Sequence, residues 1–287
     1  MGVWLRGARP RTLVASICPV LVGTAVAASA DRLVAWRALA ALVVSVAIQV
    51  GVNYANDYSD GVRGTDTPDR PGPVRLVASG LASPSQVKLA AALAFAVAGV
   101  AGLALCVAVD PRLLIVGAVC VAAAVLYTGG PRPYGYAGFG ELAVLVFFGL
   151  VATTGTAYVQ TERLDGLALA ASLPVGLGAV AILLANNIRD LDGDRAAGKR
   201  TLVVRLGSAR SRSVFLATVL AIFATVGLIG VARPTALVAL AAAPIAVAPV
   251  RLVRNRHDGP GLVAALAGTA RLQFAVSALL AFGLWVS

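Results

Sequence analysis

Two short stretches of the sequence bring together most of its acidic and amide side chains. The first is "NYANDYSDGVRGTD" at residues 53–66, and the second is "NNIRDLDGDRAAGKRT" at residues 186–201. Seven of the thirteen acidic residues lie in these stretches or directly after the first: Asp57, Asp60, Asp66, Asp69, Asp190, Asp192 and Asp194. Oxygen ligands without His or Cys suit a hard cation such as Mg²⁺. The two stretches therefore predict a magnesium site.

Helical spacing places the polar residues of the first stretch on one face. Positions i, i+3, i+4 and i+7 of a helix form one stripe, and here they are occupied by Asn53, Asn56, Asp57 and Asp60. We expect Gly61 and Gly64 to loosen the chain beyond this stripe, with Asp66 in the following loop.

The second stretch has a similar spacing. Asn187, Asp190 and Asp194 are at i, i+3 and i+7, which predicts a second polar stripe. We expect Gly193 to fray the helix before Asp194. On a strict helix Asp192 points elsewhere, and its role stays open.

Other residues that commonly carry chemistry are scarce. His257 is the only histidine, which leaves little material for a zinc site or a histidine-based triad. Cys18, Cys106 and Cys120 lie inside apolar runs and form no CxxC pair, so we expect them to be packing residues.

The composition is that of a membrane protein with many spans. Of the 287 residues 59% are hydrophobic and 13% are charged, with a mean hydropathy of +0.87, whereas soluble domains are about 25% charged. A spanning helix needs about 20 mostly apolar residues. By that measure we expect nine spans, near residues 13–30, 36–56, 84–109, 111–127, 139–160, 166–188, 213–232, 234–251 and 260–286.

The N-terminal segment has an alternative interpretation. Arg6, Arg9 and Arg11 precede an apolar run that ends in "AASA" at residues 27–30, as in a signal peptide with its cleavage site. Because many further spans follow, we expect an uncleaved first span and a single membrane domain over residues 1–287.

The distribution of positive charge predicts the orientation. With the N-terminus inside, 18 Lys and Arg side chains lie in inside segments and five lie outside, namely Arg32, Arg37, Arg112, Arg163 and Arg233. This bias is typical of cytoplasmic loops. The net charge of +11 therefore indicates topology, not nucleic-acid binding. Both acidic stretches are expected on the cytoplasmic side of the plasma membrane, and the C-terminus on the opposite side.

Acids gathered on one face near a bilayer need a compensating positive charge, because they repel each other and are costly to desolvate. Two such faces opposed across a cavity could hold a diphosphate between Mg²⁺ ions. The alternative is a pair of solvated helix ends that form salt bridges with Arg63, Arg189 and Arg195. Two matched stripes at the same side of the membrane favour the metal site.

With these motifs, the sequence resembles the UbiA superfamily of intramembrane aromatic prenyltransferases over essentially its whole length. Within that superfamily it is most similar to the MenA branch, the 1,4-dihydroxy-2-naphthoate polyprenyltransferases of menaquinone synthesis. The resemblance implies nine helices around a central cavity, with Asp-rich motifs ending the second and sixth helices. The segments that carry it are "GARPRTL" (7–13), "NYANDYSDGVRGTD", "GPVRLVASG" (72–80), "LYTGGPRPYGYAGFGE" (126–141) and "NNIRDLDGDRAAGKRTLVVRLG" (186–207).

The resemblance also assigns candidate metal ligands. The family's Asn-Asp-x-x-Asp motif falls on Asn56, Asp57 and Asp60, and its last aspartate falls on Asp66, two residues later than in the general pattern. The second motif falls on Asp190 and Asp194. With Asn187 from the second stripe, the expected ligands of Mg²⁺ are Asn56, Asp57, Asp60, Asp66, Asn187, Asp190 and Asp194.

The implied reaction needs cations beside the leaving diphosphate and near the acceptor. We expect Lys199 first, then Arg63 and Arg132, to stabilise the diphosphate, although each could instead be a positive-inside loop charge. Arg9 and Arg11 are candidates for binding the acceptor's carboxylate. The expected substrate-binding set is Arg9, Arg11, Asn53, Arg63, Arg132, Tyr134 and Lys199, and the expected catalytic set is Asp60, Asp190, Asp194 and Lys199.

Several alternatives stay open at this point. The acceptor could be 4-hydroxybenzoate, homogentisate or another phenol. A CDP-alcohol phosphotransferase would need one compact motif, which "DGVRGTD" fits poorly. A cation-coupled transporter would place acids near the bilayer midplane in broken helices, whereas here they lie at helix ends. A soluble prenyl diphosphate synthase also uses paired Asp motifs, but the apolar spans exclude it.

Overall fold

A computed structural model describes residues 2–65 and 74–287 of the chain, without the side chain of Arg11, and within these ranges the only regular elements are helices. They are α1 (Val3–Ala8), α2 (Val14–Ser29), α3 (Ala35–Arg63), α4 (Pro84–Ala108), α5 (Leu113–Thr128), α6 (Gly140–Thr161), α7 (Gly166–Arg189), α8 (Leu191–Ala196), α9 (Leu202–Ala232), α10 (Pro234–Asn255) and α11 (Gly259–Trp285). A short 3₁₀ helix, Pro10–Thr12, lies between α1 and α2. A π-helical segment, Leu145–Val151, lies inside α6, and α10 begins with a 3₁₀ helix over Pro234–Ala242.

The described helices include one for each of the nine expected spans, and seven of these are long and apolar enough to cross a membrane. Seven are 22 to 31 residues long, and two shorter apolar helices, α2 and α5, complete the set. Most boundaries agree with the expectation to within a few residues. The all-helical membrane fold is therefore confirmed. α9 begins at Leu202 rather than near residue 213, and it contains a break at Gly207 (φ +75°).

The first acidic stretch is part of a continuous helix. α3 runs through Asn56 and Asp60 to Arg63, and Gly64 ends it with a left-handed conformation (φ +69°). The expectation that Gly61 loosens the chain is wrong. Gly61 stays helical, and its missing side chain makes room for Val77: a Cβ atom there would lie 2.5 Å from a Val77 methyl group.

The second acidic stretch is not one helical face. α7 ends at Arg189, and Asp190 leaves helical geometry (φ −91°, ψ 3°) before the short helix α8 begins. Gly193 lies inside α8 and does not fray it. Because the chain turns at Asp190, the expected stripe of Asn187, Asp190 and Asp194 is broken, and the three side chains need not face the same way.

The main apolar core surrounds α7. This helix packs against α9, α11, α6 and α2, and fully buried residues such as Leu184, Phe215 and Leu280 belong to one cluster there. Burial in a bilayer gives no hydrophobic drive between helices, so small residues that allow close packing are favoured, and Ala171, Ala181 and Ala185 of α7 are fully buried. α7 thereby holds Asn187 at a fixed place at its C-terminal end.

Candidate active site

A cavity of about 670 Å³ lies between α3, α4, α5, α6 and α7. Its polar end is formed where α3 ends and the α7–α8 turn begins. The charged and amide side chains that line the cavity are Arg9, Gln49, Asn53, Asn56, Asp60, Arg75, Asn186, Asn187, Asp194 and Lys199. Most of the remaining lining is apolar, with Val44, Ile48, Val52, Leu103, Val121, Phe147 and Phe148 among its side chains. The cavity therefore combines a charged head region with a long apolar region.

Lys199 connects the two acidic stretches at the polar end. Its Nζ lies 3.4 Å from Oδ1 of Asp60 and 3.6 Å from Oδ1 of Asp194. All three side chains are buried, at 6%, 6% and 8% exposed for Lys199, Asp60 and Asp194 respectively. The backbone N–H of Lys199 also donates to the carbonyl of Asp194 at 2.9 Å. The structure thus brings the expected catalytic residues Asp60, Asp194 and Lys199 together.

Tyr136 completes this charged group from the loop between α5 and α6. Its hydroxyl donates to Oδ1 of Asp60, and the Lys199 ammonium lies 4.5 Å from the centre of its ring. Burial, followed by the negative charge of Asp60, raises the pKa of the Tyr136 phenol above its usual range. Tyr136 is therefore a neutral hydrogen-bond donor at physiological pH. Tyr136 was not among the expected site residues, although the segment "LYTGGPRPYGYAGFGE" contains it.

Tyr134 lines the same cavity, two residues earlier in the loop. Its hydroxyl donates to the carbonyl of Ala123 at 2.8 Å, and its ring meets that of Tyr127 edge to face. Burial raises the pKa of Tyr134 to about 12. Its hydroxyl is thus committed to α5, and what it offers to the cavity is mainly its aromatic surface.

Arg63 and Arg132 lie outside the cavity lining. The guanidinium of Arg63 donates to the carbonyls of Thr128, at 2.5 Å, and Gly130, and it lies over the ring of Tyr136. Arg63 therefore ties the α5–α6 loop to the end of α3. Arg132 is exposed. Their expected binding of substrate stays a prediction, and for Arg63 the contacts indicate a role in holding Tyr136.

The side-chain amides of the first stretch face the cavity. Asn53 donates to the carbonyl of Ala8 at 2.9 Å and so joins α3 to α1. Asn56 accepts a hydrogen bond of 2.6 Å from the hydroxyl of Thr128. Asn56 and Asp60 are four residues apart on α3 and both line the cavity, as the helical stripe predicts.

Two expected metal ligands have carboxylates that are engaged elsewhere. Asp57 is fully buried, and its oxygens accept the backbone N–H groups of Leu76 and Val77. Asp190 forms a buried pair with Arg189, with 2.8 Å between Nη2 and Oδ2. Neither aspartate lines the cavity. Their metal roles are not supported by these positions, because the chain turn at Asp190 and the contact of Asp57 with residues 76–77 direct them away.

Four further residues named from the sequence are Asp66, Arg11, Asp192 and Arg9. Asp66 and the side chain of Arg11 lie outside the described residues. Asp192 points away from the cavity, with its side chain 97% exposed and 3.8 Å from Arg195. Arg9 lines the polar end, as expected for a substrate-binding cation.

Sequence reasoning missed two further residues. Arg75 lines the polar end, and the quoted segment "GPVRLVASG" contains it. Glu141, near the start of α6, is 7% exposed, and its Oε1 accepts a 3.0 Å hydrogen bond from Asn187. Its Oε2 has no hydrogen-bond partner among the described residues. An acid at the start of an apolar span is itself a signal of function, and it would have identified Glu141.

The donors at the polar end fit a magnesium ion. Across the cavity, α3 offers Asn56 and Asp60, and the α7–α8 region offers Asn187 and Asp194. Within residues 2–65 and 74–287 no three His, Cys, Asp or Glu side chains form a metal cluster. Mg²⁺ commonly uses one or two carboxylates and completes its shell with waters and substrate phosphates. Asp60 and Asp194 also hold the buried Lys199 ammonium, so these two carboxylates already stabilise one positive charge.

Comparison with known proteins decides the family. The UbiA prenyltransferase family matches residues 16–277. This chain belongs to that family. The UbiA fold is also found by structural comparison. A UbiA homologue from Aeropyrum pernix superposes with a TM-score of 0.71 at 19% identity, covering 95% of this chain and 96% of the homologue.

Two further similarities concern activity and ligands. A 1,4-dihydroxy-2-naphthoate octaprenyltransferase of Mycobacterium tuberculosis is 49% identical over 284 residues, which are 98% of this chain and 97% of the relative. The resemblance to the MenA branch is thus confirmed. A UbiA homologue from Archaeoglobus fulgidus, bound to GPP and Mg²⁺, has a TM-score of 0.68 at 14% identity, with both chains covered completely.

Proposed function

We propose that this UbiA-family prenyltransferase transfers a polyprenyl group from a polyprenyl diphosphate to 1,4-dihydroxy-2-naphthoate with loss of CO₂, giving demethylmenaquinone in its quinol form. The observation that supports this most directly is the 49% identity, over nearly the whole chain, to a 1,4-dihydroxy-2-naphthoate octaprenyltransferase. The cavity supports it independently, since one polar end and a long apolar region suit a diphosphate with a hydrocarbon tail.

The polar end has the charges that a leaving diphosphate needs. Lys199, Arg75 and Arg9 line it and supply cations, while Asp60 and Asp194 keep the Lys199 ammonium in place. Mg²⁺ held by Asn56, Asp60, Asn187 and Asp194 would spread the negative charge of the diphosphate as it leaves. The relative bound to GPP and Mg²⁺ supports magnesium as the metal.

The chemistry divides between the two regions of the cavity. The allylic C–O bond breaks, and its electron pair leaves with the diphosphate at the polar end. The ring carbon that bears the carboxylate then forms a bond to the allylic carbon. The C–C bond to the carboxylate breaks, CO₂ leaves, and the bonding pair stays in the ring and restores its aromaticity. Tyr127 and Tyr136 line the cavity, and aromatic rings there would stabilise positive charge. The apolar lining excludes water from the cation.

The chain is an integral membrane protein, as its apolar helices indicate. We place it in the plasma membrane with its N-terminus and the polar end of the cavity on the cytoplasmic side, because Lys and Arg concentrate there. The C-terminus lies on the opposite side, and residues 1–287 form one domain. A polyprenyl tail leaves the bilayer only at a large hydrophobic cost, so a cavity within the membrane avoids that transfer.

The test is an assay of the purified protein in detergent with an octaprenyl diphosphate. The acceptor is either 1,4-dihydroxy-2-naphthoate or 4-hydroxybenzoate, with Mg²⁺ or with EDTA, and the product is identified by its mass. We expect a Mg²⁺-dependent product from the naphthoate alone that is lighter by CO₂ than simple addition. Product from 4-hydroxybenzoate alone would show that the naphthoate is not the acceptor. Equal product in EDTA would show that the reaction does not need Mg²⁺.

A further inference from the structure

The carboxylate of Asp57 joins α3 to residues 74–82. One of its oxygens accepts the backbone N–H of Leu76 at 2.9 Å, and the other accepts that of Val77 at 3.0 Å. Asp57 is fully buried, and its carboxylate does not line the cavity. Carboxylates buried in this way are stabilised by backbone donors, and both oxygens of Asp57 already have one. This aspartate is therefore built into the protein as an anchor.

Packing fixes the same two residues. Leu76 is fully buried, and a Cβ on Gly7 would lie 2.6 Å from its side chain. Gly61 lies four residues after Asp57 on α3, and a Cβ there would lie 2.5 Å and 2.6 Å from two atoms of Val77. One face of α3 thus makes two contacts with this segment, one helical turn apart. The Asp57 carboxylate accepts the N–H groups of Leu76 and Val77, and the Val77 side chain fills the space beside Gly61.

Arg75 directly precedes this anchored pair and, like Arg9, lines the cavity. Because the backbone is fixed at the next two residues, the place from which the Arg75 side chain reaches the cavity is fixed as well. A guanidinium binds anionic oxygens in a fork geometry that depends on such placement.

We propose that Asp57 is a positioning residue and not a ligand of the metal. It holds the Leu76–Val77 backbone so that Arg75 presents its guanidinium to the anionic oxygens of a substrate, either the diphosphate or the carboxylate of the aromatic acceptor. The role in catalysis rests on the proposed function, whereas the anchoring of residues 75–77 does not.

The anchoring is tested by limited proteolysis with trypsin, followed by mass spectrometry of the cut between Arg75 and Leu76. Asp57→Asn replaces one acceptor oxygen by an amide that cannot accept a hydrogen bond. We expect this cut to become at least about tenfold faster in Asp57→Asn and faster still in Asp57→Ala. Asp192→Asn is the matched control, because it removes an exposed acid of the neighbouring motif. Equal cutting in Asp57→Asn and the control would overturn the anchor.

The consequence for catalysis is tested by separating metal from substrate effects. In Asp57→Asn we expect the KM for one anionic substrate to rise by about tenfold, while the Mg²⁺ concentration for half-maximal activity changes by less than twofold. A rise in the KM for the diphosphate alone identifies that partner, and a rise in the KM for the naphthoate alone identifies the other. Asp60→Asn provides the comparison for a metal site. If Asp57→Asn raises the Mg²⁺ requirement as Asp60→Asn does, the proposal is wrong.

A double-mutant cycle tests whether Asp57 acts through Arg75. Arg75→Gln should raise the same KM by a similar factor, and the Asp57→Asn/Arg75→Gln double variant should be no worse than the worse single variant. Multiplication of the two factors would show that they act separately and would contradict the proposal.

A substitution at Gly61 tests the placement of residues 75–77 without changing an acidic residue. Gly61→Ala places a methyl group against Val77, so it should reproduce both the faster cut and the higher KM. Gly227→Ala on α9, where a Cβ meets nothing within 4 Å, is its control. If Gly61→Ala behaves like Gly227→Ala, packing at residue 77 does not position Arg75. Should the wild-type protein fail to prenylate the naphthoate, the proposed function falls, but the proteolysis still decides the anchor.

Discussion

The ammonium group of Lys199 lies 3.4 Å from a carboxylate oxygen of Asp60, although the two residues are 139 positions apart in the chain. This contact joins the end of α3 to the segment after α8, and Asp194 lies on the other side of the same ammonium at 3.6 Å. Three buried charges with a net charge of −1 form one group at the polar end of the cavity. Their positions suit an additional cation and a bound anion together.

Replacing Lys199 by Met is expected to destabilise the protein and to abolish turnover. Removal of one partner from a buried charge pair costs about 3–5 kcal/mol, because the remaining charges lose their compensation. Asp60 and Asp194 would then face each other unpaired by Lys199. Added Mg²⁺ should raise the unfolding temperature of Lys199→Met more than that of the wild type, which a thermal unfolding assay in detergent measures. An equal effect of Mg²⁺ on both proteins would mean that these aspartates do not share the metal.

The buried aspartates of the two acidic stretches should matter more for turnover than the exposed Asp192. Asp60→Asn and Asp194→Asn preserve shape but remove charge from the polar end, and we expect turnover to fall on the order of 100- to 1,000-fold, as when a charge-stabilising group is lost. The measurement is the initial rate at saturating substrate. Asp192→Asn, an exposed acid two residues before Asp194, is the control and should keep near-wild-type rates. A similar loss in Asp192→Asn would place the site on the wrong face of α8.

The sequence was sufficient for the architecture and for most of the charged and amide side chains that line the cavity. Apolar runs of about 20 residues predict spans because the bilayer sets their length, and the spacing of Asn56 and Asp60 predicts that they share a helical face. It failed where the backbone leaves the helix. At Asp190 the backbone turns between α7 and α8, which a helical period does not reveal, so the expected stripe does not bring this aspartate to the cavity. The engagement of Asp57 with Leu76 and Val77 is a contact across 19 residues that periodicity cannot show.

Glu141 is expected to position Asn187. Its Oε1 accepts the 3.0 Å hydrogen bond from the Asn187 amide, and Asn187 lines the cavity. Loss of a residue that orients a metal ligand commonly costs 10- to 100-fold in activity or metal affinity. Glu141→Ala should therefore lose activity on the order of 10-fold or more, with a higher Mg²⁺ concentration for half-maximal rate. Glu141→Gln keeps an acceptor oxygen for the Asn187 amide and should retain most of the wild-type activity. No recovery in Glu141→Gln would show that the charge itself is needed.

The phenol of Tyr134 predicts how stability changes at alkaline pH. Its pKa is about 12 in the folded protein because of burial, against about 10 in an unfolded chain. Above pH 10 the unfolded state loses this proton first, so it binds fewer protons than the folded state and stability falls as pH rises. The loss should begin near pH 10 and be complete near pH 12. Tyr134→Phe removes this proton and also the hydrogen bond to Ala123, and the latter is a constant cost at every pH.

The difference in unfolding temperature between the wild type and Tyr134→Phe is therefore the quantity to follow from pH 8 to pH 12. Subtracting the two curves removes the titration of Lys88, Lys199 and the other tyrosines, which both proteins share. We expect the advantage of the wild type to be constant up to about pH 10 and to shrink beyond it, since the raised pKa favours the neutral phenol. A difference that stays constant to pH 12 would show that the Tyr134 hydroxyl is not desolvated at the wall of the cavity.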